Sequence, residues 1–140
     1  MDIRFVLLPL FVQVLLTFVL LSWLAILRQR DFRRGVRKDQ VALREPNWSV
    51  RTLQVGYCYA NQLELPVLFY VLTILSIMTH HADVIFVVLA WIFVLTRVAH
   101  AFVHTTSNDV RKRGPLFGIG LLVLLIMWLI FIIRILTGLP

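Results

Sequence analysis

The sequence predicts an all-α integral membrane protein, a single bundle of four membrane-spanning helices. Hydrophobic residues make up 60% of the 140 residues and charged residues only 15%, whereas soluble domains are about 45–50% apolar and about a quarter charged. The apolar residues form four long continuous runs, and the basic residues concentrate in two of the three segments between them. A chain of this length has room for one small bundle and no second domain.

Each apolar run is long enough to cross a bilayer, which takes about 20 residues of α-helix. The runs are continuous rather than alternating with period two, and they are too long for barrel strands, so helices are predicted. The predicted helices cover residues 5–27, 52–79, 84–104 and 115–136. Pro115 suits the first turn of the last helix, where its missing N–H costs little.

The distribution of basic residues predicts the orientation of the bundle. The first loop, residues 28–51, carries three acids against a larger basic set: Arg28, Arg30, Arg33, Arg34, Arg37, Lys38, Arg44 and Arg51. The third loop adds Arg111, Lys112 and Arg113, while residues 80–83 contain no Lys or Arg. The positive-inside rule then predicts cytoplasmic first and third loops and both termini outside. We therefore attribute the net charge of +7 to topology and to contact with membrane lipids rather than to nucleic acid.

Polar residues recur at helical spacing on two of the predicted helices. The second carries Tyr57, Asn61 and Glu64, and the third carries Arg97, His100 and His104. Counted from the short loop between these helices at about 1.5 Å per residue, Glu64 lies roughly 22 Å deep and Arg97 roughly 20 Å. An unpaired carboxylate at that depth costs several kcal/mol, so a Glu64–Arg97 ion pair is predicted. Asn61 and His100 also match in depth.

This polar face has three interpretations. The ion pair is purely structural, or it also lines a polar cavity open to the cytoplasm, as the surplus of polar side chains around it favours. A third interpretation has His100 and His104 hold a metal ion or haem. No further ligand stands at a suitable spacing, so no metal site is predicted. The single cysteine, Cys58, excludes an internal disulfide and is expected to be a packing residue.

At these residues the sequence resembles the MAPEG family, the membrane-associated proteins in eicosanoid and glutathione metabolism, and we interpret it as a bacterial-type member. The family hallmark, an Asn followed three residues later by Glu and then by Pro, reads here Asn61-Gln-Leu-Glu64-Leu-Pro66. The next helix reads Arg97-Val-Ala-His100-Ala-Phe-Val-His104, similar to the prostaglandin E synthase branch. The resemblance covers essentially the whole chain. It implies four membrane helices, a homotrimer, and glutathione bound between protomers near the cytoplasmic side.

The resemblance also implies roles for individual residues. Asn61 and Glu64 match residues that contact glutathione, and the site would also include His100 and His104. Arg28 or Arg30 would reach a glutathione carboxylate from the neighbouring protomer. Arg111 and Arg113 lie where relatives carry the arginine that stabilises the glutathione thiolate. A guanidinium near the sulfur favours this charged, nucleophilic form.

Some positions depart from the family pattern. Relatives commonly have Arg at position 57 and His or Gln at position 59, where this chain has Tyr57 and Tyr59, and a fourth-helix Tyr is replaced by Leu116 or Phe117. Besides a small metal- or haem-binding membrane subunit that uses His100 and His104, two functions therefore stay open. The chain is a glutathione-dependent transferase or peroxidase acting on a lipophilic electrophile, or it is a non-catalytic member. The non-catalytic member would bind lipid or quinone, or serve as an accessory subunit of a larger membrane complex.

Overall fold

The computed structural model describes every residue from Met1 to Pro140, and it is all-helical as predicted. It contains five α-helices and a short 3₁₀ turn at Lys38–Gln40: α1 Ile3–Arg33, α2 Val50–Asn61, α3 Leu65–Met78, α4 Val84–Thr105 and α5 Val110–Thr137. Four helical segments are long and apolar enough to cross a membrane, with α2 and α3 together forming one of them. The bundle therefore has a basic end, which carries the loops 34–49 and 106–109, and a terminal end, which carries both chain termini and residues 79–83.

The second predicted helix is not continuous. It breaks between Asn61 and Leu65, so that residues 52–79 divide into α2 and α3. Pro66 explains the break, because it has no N–H and its ring clashes with the carbonyl of Gln62 four residues earlier. In the first turn of a new helix the missing N–H is harmless, and Pro66 lies there in α3.

The first and last helices of the chain, α1 and α5, extend beyond their apolar runs. Asp2 caps α1 by accepting from the Arg4 N–H, and the helix continues through basic residues that follow residue 27. Asp109 caps α5 by accepting from the Arg111 N–H, so α5 begins five residues before the predicted start at Pro115. A charged residue can cap a helix outside the bilayer, so the apolar run alone underestimates helix length.

A buried carboxylate anchors the long basic loop to the bundle. Asp31, 1% exposed, accepts hydrogen bonds from the Ser49 N–H at 2.9 Å and the Ser49 hydroxyl at 3.0 Å. Ser49 in turn caps α2, its hydroxyl accepting from the Thr52 N–H. The acid at the end of α1 thus fixes the point where α2 begins.

Side chains of α2 also cap the last turn of α4. Gln54 donates to the carbonyls of His104 at 2.7 Å and Thr106 at 3.1 Å. Arg51 donates to the carbonyl of Thr105 and stacks over the ring of Trp23, 4.7 Å from its centroid. These carbonyls have no partner inside their own helix, so α2 supplies the hydrogen bonds that α4 lacks.

The apolar core lies mainly in the terminal half of the bundle. It joins buried residues of α1, α3, α4 and α5: Val6, Phe69, Leu72, Phe86, Ala90, Phe93, Val94, Val123, Leu124 and Met127. Towards the basic end, polar side chains replace apolar ones between α2 and α4. Gly120 of α5 packs against α4 where this change occurs: a Cβ at Gly120 would lie 3.0 Å from Thr96 Oγ1.

Candidate functional site

Arg97 is the largest fully buried side chain of the molecule. Its Nη2 donates to the main-chain carbonyl of Asn61 at 3.3 Å, while its Nε and Nη1 are buried and have no hydrogen-bond partner. No carboxylate lies within ion-pairing distance, since the only ion pairs of the chain are Arg4–Asp2, Arg37–Asp39 and Arg134–Asp83. A buried guanidinium with free donors is costly for the isolated protomer, and an anionic ligand would satisfy it.

Three further residues, Asn61, His100 and His104, form with Arg97 what we call the polar cluster. The side-chain amide of Asn61 lies 3.4 Å from Nδ1 of His104. The two imidazoles stand edge to face with centroids 5.7 Å apart, and Nδ1 of His100 is buried without a partner. The predicted meeting of these two helix faces is therefore seen within one protomer, although Asn61 contacts His104 and Arg97 rather than His100.

One aromatic ring of α5 covers the cluster. The Phe117 ring lies 5.6 Å from the guanidinium carbon of Arg97 and 5.8 Å from the His100 ring. A cation over an aromatic face is stabilised by the ring quadrupole. Phe117 thus provides an apolar lid without a hydroxyl, at one of the two positions, 116 and 117, where a Tyr of several relatives was expected.

The predicted ion pair between Glu64 and Arg97 is absent from the protomer. Glu64 is exposed and occupies the N-cap position of α3, where its side chain makes no capping hydrogen bond. The prediction assumed an unbroken helix, in which Tyr57, Asn61 and Glu64 would share one face. The break after Asn61 turns Glu64 away from that face, and Tyr57 is also exposed, at 57%.

The two arginines proposed to activate a thiol differ in position. Arg111 is exposed, while Arg113 is half-buried and donates to the Asn108 side chain at 2.5 Å. On α5, Arg113 lies one helical turn before Phe117, whose ring packs over Arg97 and His100. Of the two candidates, Arg113 is therefore the one next to the cluster.

Arg28 and Arg30 lie outside the hydrogen-bond network of the polar cluster. Arg28 is exposed, and its guanidinium carbon is 5.2 Å from the centroid of the Trp48 ring. Arg30 is half-buried, with its Nε buried and unpartnered. Both remain predicted contacts for a ligand shared with a neighbouring protomer.

The structure also reveals a buried amide pair that sequence reasoning missed. Gln13 donates to Gln62 Oε1 at 2.8 Å, and Gln62 donates to the Cys58 carbonyl at 3.1 Å; both glutamines are fully buried. The pair attaches α1 to the helix break directly after Asn61. A lone Gln in the middle of an apolar run was the available signal, since buried amides in membranes seek partners.

A metal site finds no support in the arrangement of side chains. No group of three or more His, Cys, Asp or Glu residues is placed to hold a metal ion. His100 and His104 therefore lack the further protein ligands that a closed metal site requires.

Comparison with protein-family models gives one match, to the MAPEG family, over residues 6–133. Comparisons with curated proteins and with solved structures give no match. The matched region includes the whole polar cluster and all four membrane-spanning segments except the first three residues of α1 and the last four of α5. The chain therefore belongs to the MAPEG family, whose members include glutathione-dependent transferases and peroxidases as well as non-catalytic proteins.

Proposed function

We propose that the protein is a glutathione-dependent membrane transferase or peroxidase acting on a lipophilic electrophile. The observation that carries this proposal is the buried Arg97 guanidinium with two unpartnered nitrogens. Glutathione brings two carboxylates, an amino group and a thiol. A carboxylate would accept from Arg97, and the Asn61 amide could bind the peptide backbone. The ligand would thus remove the cost of a buried, unpaired cation.

Arg113 is the residue we propose for thiol activation. Its positive charge stands beside the cluster and would favour the thiolate over the thiol. The thiolate sulfur would attack the electrophilic carbon of the second substrate and displace its leaving group, such as chloride from an aryl chloride. With a hydroperoxide it would attack the terminal oxygen and break the O–O bond, releasing the alcohol; the glutathione sulfenic acid formed would react with a second glutathione to give the disulfide and water. Arg111 points to a different, exposed environment and is the weaker candidate.

In this proposal the site is completed by assembly. The protein would be a homotrimer in which Arg28 or Arg30 of one protomer reaches the glutathione held by the next, with Glu64 as a further contact. The exposed position of Glu64 in the single chain is compatible with such a shared site. Both basic loops would be cytoplasmic and both termini outside, so glutathione would enter from the cytoplasm and the electrophile from the bilayer.

Purified oligomer tests the proposal directly. Millimolar glutathione should raise the thermal unfolding midpoint by mass action, and the protein should conjugate an aryl halide such as chlorodinitrobenzene. Arg113→Gln should lower conjugation strongly while keeping the stabilisation by glutathione, and Arg111→Gln serves as the matched control. Absence of both stabilisation and conjugation would refute the proposal.

A second candidate, a non-catalytic member that binds lipid or quinone or joins a larger complex, is favoured by Phe117. This ring covers the cluster without a hydroxyl that could donate to a sulfur or an oxygen. Phe117→Tyr distinguishes the two functions: it should increase conjugation in an enzyme and leave a non-catalytic protein inactive. A partner that copurifies in fixed ratio would support the second candidate.

A further inference from the structure

A histidine at the terminal end of the molecule connects the ends of two helices. Nδ1 of His81 lies 3.0 Å from the hydroxyl oxygen of Thr79, and Nε2 lies 3.0 Å from the carbonyl oxygen of Leu139. Thr79 directly follows α3, and Leu139 lies two residues beyond the end of α5. The His81 side chain therefore joins residues 138–140 to the turn that follows α3.

The main chain around His81 forms a well-defined helix ending. The N–H of His80 donates to the carbonyl of Ile77 at 3.2 Å, and the N–H of His81 donates to the carbonyl of Ser76 at 2.8 Å. His80 has a φ of 58°, the left-handed conformation that such an ending requires. Gly138 ends α5 in the same conformation, with a φ of 69°. Both helix ends thus have a defined direction, and the histidine ring lies between them.

The contacts of the His81 ring need more hydrogens than a neutral imidazole supplies. The Leu139 carbonyl can only accept, so Nε2 must donate to it. The Thr79 hydroxyl donates to the Leu75 carbonyl at 2.8 Å, so it accepts from Nδ1. These three hydrogen bonds need three hydrogens, whereas a neutral imidazole and one hydroxyl together have two. Only the charged imidazolium can form all three at once.

The surroundings of His81 are also compatible with a charge on its ring. The ring lies at the carbonyl ends of α3 and α5, where the helix dipole favours a cation. Two charged residues share a small cavity with it, Asp83 and Arg134, and they pair with each other at 2.8 Å. The remaining titratable group of the 79–83 loop, His80, is exposed.

Asp83 keeps its charge in the pH range in which histidine titrates. Burial raises the pKa of its carboxyl, but the hydrogen bonds from Arg134 and Phe86 and the charge of Arg134 outweigh burial and hold the pKa below its usual range. The charge of arginine does not change in this range either. A change in this corner of the molecule between pH 5 and 8 therefore comes from His81.

We propose that His81 is a proton-dependent latch on the terminal side of the bundle. The imidazolium holds residues 138–140 against the end of α3. Loss of its proton removes one of the three hydrogen bonds and the attraction of the two helix ends for a cation. Because the charge of histidine changes between pH 5 and 8, the latch is closed in mild acid and looser above neutral pH. This inference goes beyond the glutathione function and does not depend on it.

A nitroxide spin label at Leu139→Cys measures the latch in the purified full chain. The side chain of Leu139 is exposed, whereas Cys58 is fully buried and stays unlabelled. We expect the ratio of immobilised to mobile label to fall about fivefold from pH 5 to pH 8, the usual contribution of one hydrogen bond. His81→Phe keeps a ring without a donor and should leave the label mobile at both pH values. His80→Asn is the matched control, because asparagine tolerates the left-handed conformation, and it should keep the pH response.

A second variant tests the count of hydrogens and leaves the histidine in place. Thr79→Val removes the hydroxyl, so the ring of His81 keeps only its bond to Leu139, which a neutral imidazole can supply. The pH response of the label should therefore shrink. Thr106→Val is the control: its hydroxyl makes the same kind of bond, to the Phe102 carbonyl four residues earlier, but at the basic end. It should keep the full response.

Two results would overturn the proposal. Label mobility that does not change with pH would mean that His81 is neutral and that Nδ1 accepts from the Thr79 hydroxyl. A pH response that survives in His81→Phe would assign it to another group. The assay contains no glutathione and measures no catalysis, so its result is independent of the proposed enzymatic function.

Discussion

Among single residues, Arg97 has the least favourable environment for the isolated chain. It is fully buried in the membrane-crossing part of α4, and only one of its nitrogens has a partner, a main-chain carbonyl. Removing a charge from water costs several kcal/mol unless a counter-charge and hydrogen bonds compensate. Arg97 therefore lowers the stability of the isolated protomer, as expected of a residue whose partner is a ligand.

Replacing Arg97 by a methionine of similar length should stabilise the ligand-free protein. We expect Arg97→Met to raise the free energy of unfolding by about 1–4 kcal/mol, because a buried charge gives way to an apolar side chain. The same variant should lose all stabilisation by glutathione. Arg134→Met is the matched control: Arg134 pairs with Asp83 at 2.8 Å, so its loss should lower stability. A thermal scan with and without glutathione measures both effects, and destabilisation by Arg97→Met would contradict this interpretation.

Asn61 has two separate functions in the structure. Its main-chain carbonyl holds Arg97, and its side-chain amide faces His104. Asn61→Ala keeps the first contact and removes the second. We therefore expect unchanged oligomer mass in native mass spectrometry and weaker glutathione affinity in titration calorimetry. Dissociation of the oligomer in Asn61→Ala would show that the amide is structural instead.

The sequence could predict the polar cluster because helical spacing and depth both follow from the linear order of residues. Helical spacing and depth together predicted that Asn61, Arg97 and His100 lie on facing sides of two neighbouring helices. The contacts of Gln13 and Glu64 could not be predicted, since both depend on the break after Asn61. A break rotates one helical segment relative to the next. The spacing of residues along an ideal helix does not give the size of that rotation, so it could not be predicted.

At the scale of helices, the close approach of α5 to α4 depends on Gly120. A Cβ there would lie 3.0 Å from Thr96 Oγ1 and 3.8 Å from Cδ of Arg97. The Thr96 hydroxyl is held in place by its hydrogen bond to the Phe93 carbonyl at 2.6 Å. Because Gly120 has no side chain, the aliphatic part of the Arg97 side chain fits between α4 and α5.

Gly120→Ala should lower the free energy of unfolding by about 1–3 kcal/mol, the usual cost of overpacking. Gly118, on the same helix, has open space where its Cβ would lie. Gly118→Ala should therefore be neutral or stabilise by about 0.5–1 kcal/mol, since alanine favours helix. Denaturation of the two variants in mixed micelles measures the difference. Equal stability of the two would rule out a close contact at Gly120.

At the scale of the whole molecule, an ion pair closes the terminal end of the bundle. Asp83 caps α4 by accepting from the Phe86 N–H, and it pairs with Arg134 near the end of α5. Burial raises the pKa of the Asp83 carboxyl, but the hydrogen bonds from Arg134 and Phe86 and the charge of Arg134 outweigh it and hold the pKa below its usual range. The carboxylate form is thus favoured in the folded protein.

This pKa predicts a dependence of stability on pH. A carboxyl whose pKa is lower in the folded state stabilises the protein above its unfolded pKa of about 3.9, and the contribution is lost as the pH falls through the folded value. Asp83→Asn keeps a helix-capping side chain and removes the charge. The wild type should have the higher unfolding midpoint at neutral pH, and the difference should shrink in strong acid. A difference that persists there would mean that the ion pair contributes nothing.

The orientation of the bundle can be tested with single cysteines. Ala42→Cys lies in the exposed basic loop and Leu139→Cys at the exposed C-terminal end, while Cys58 is fully buried and should stay unlabelled. In intact cells a membrane-impermeant maleimide should label Leu139→Cys and reach Ala42→Cys only after permeabilisation. The reverse pattern would place the basic loops outside.

The number, order and membrane character of the four spanning segments could be predicted from the sequence, because the bilayer thickness sets the length of each apolar run. Their ends could not, since Asp2 and Asp109 cap the outer helices beyond the apolar runs. The anchoring of the loop by Asp31 was also beyond prediction. Three acids stand in that basic segment, and only the folded chain distinguishes the buried one from the others.

The capping of α4 by Arg51 and Gln54 has a consequence for the order of events during biosynthesis. The ribosome releases α2 long before α4, so both donors are already present when the last turn of α4 reaches the membrane surface. The carbonyls of that turn can then be satisfied as soon as they emerge. A chain from which α2 had been deleted would deliver the same turn to the surface with no protein group ready to receive it.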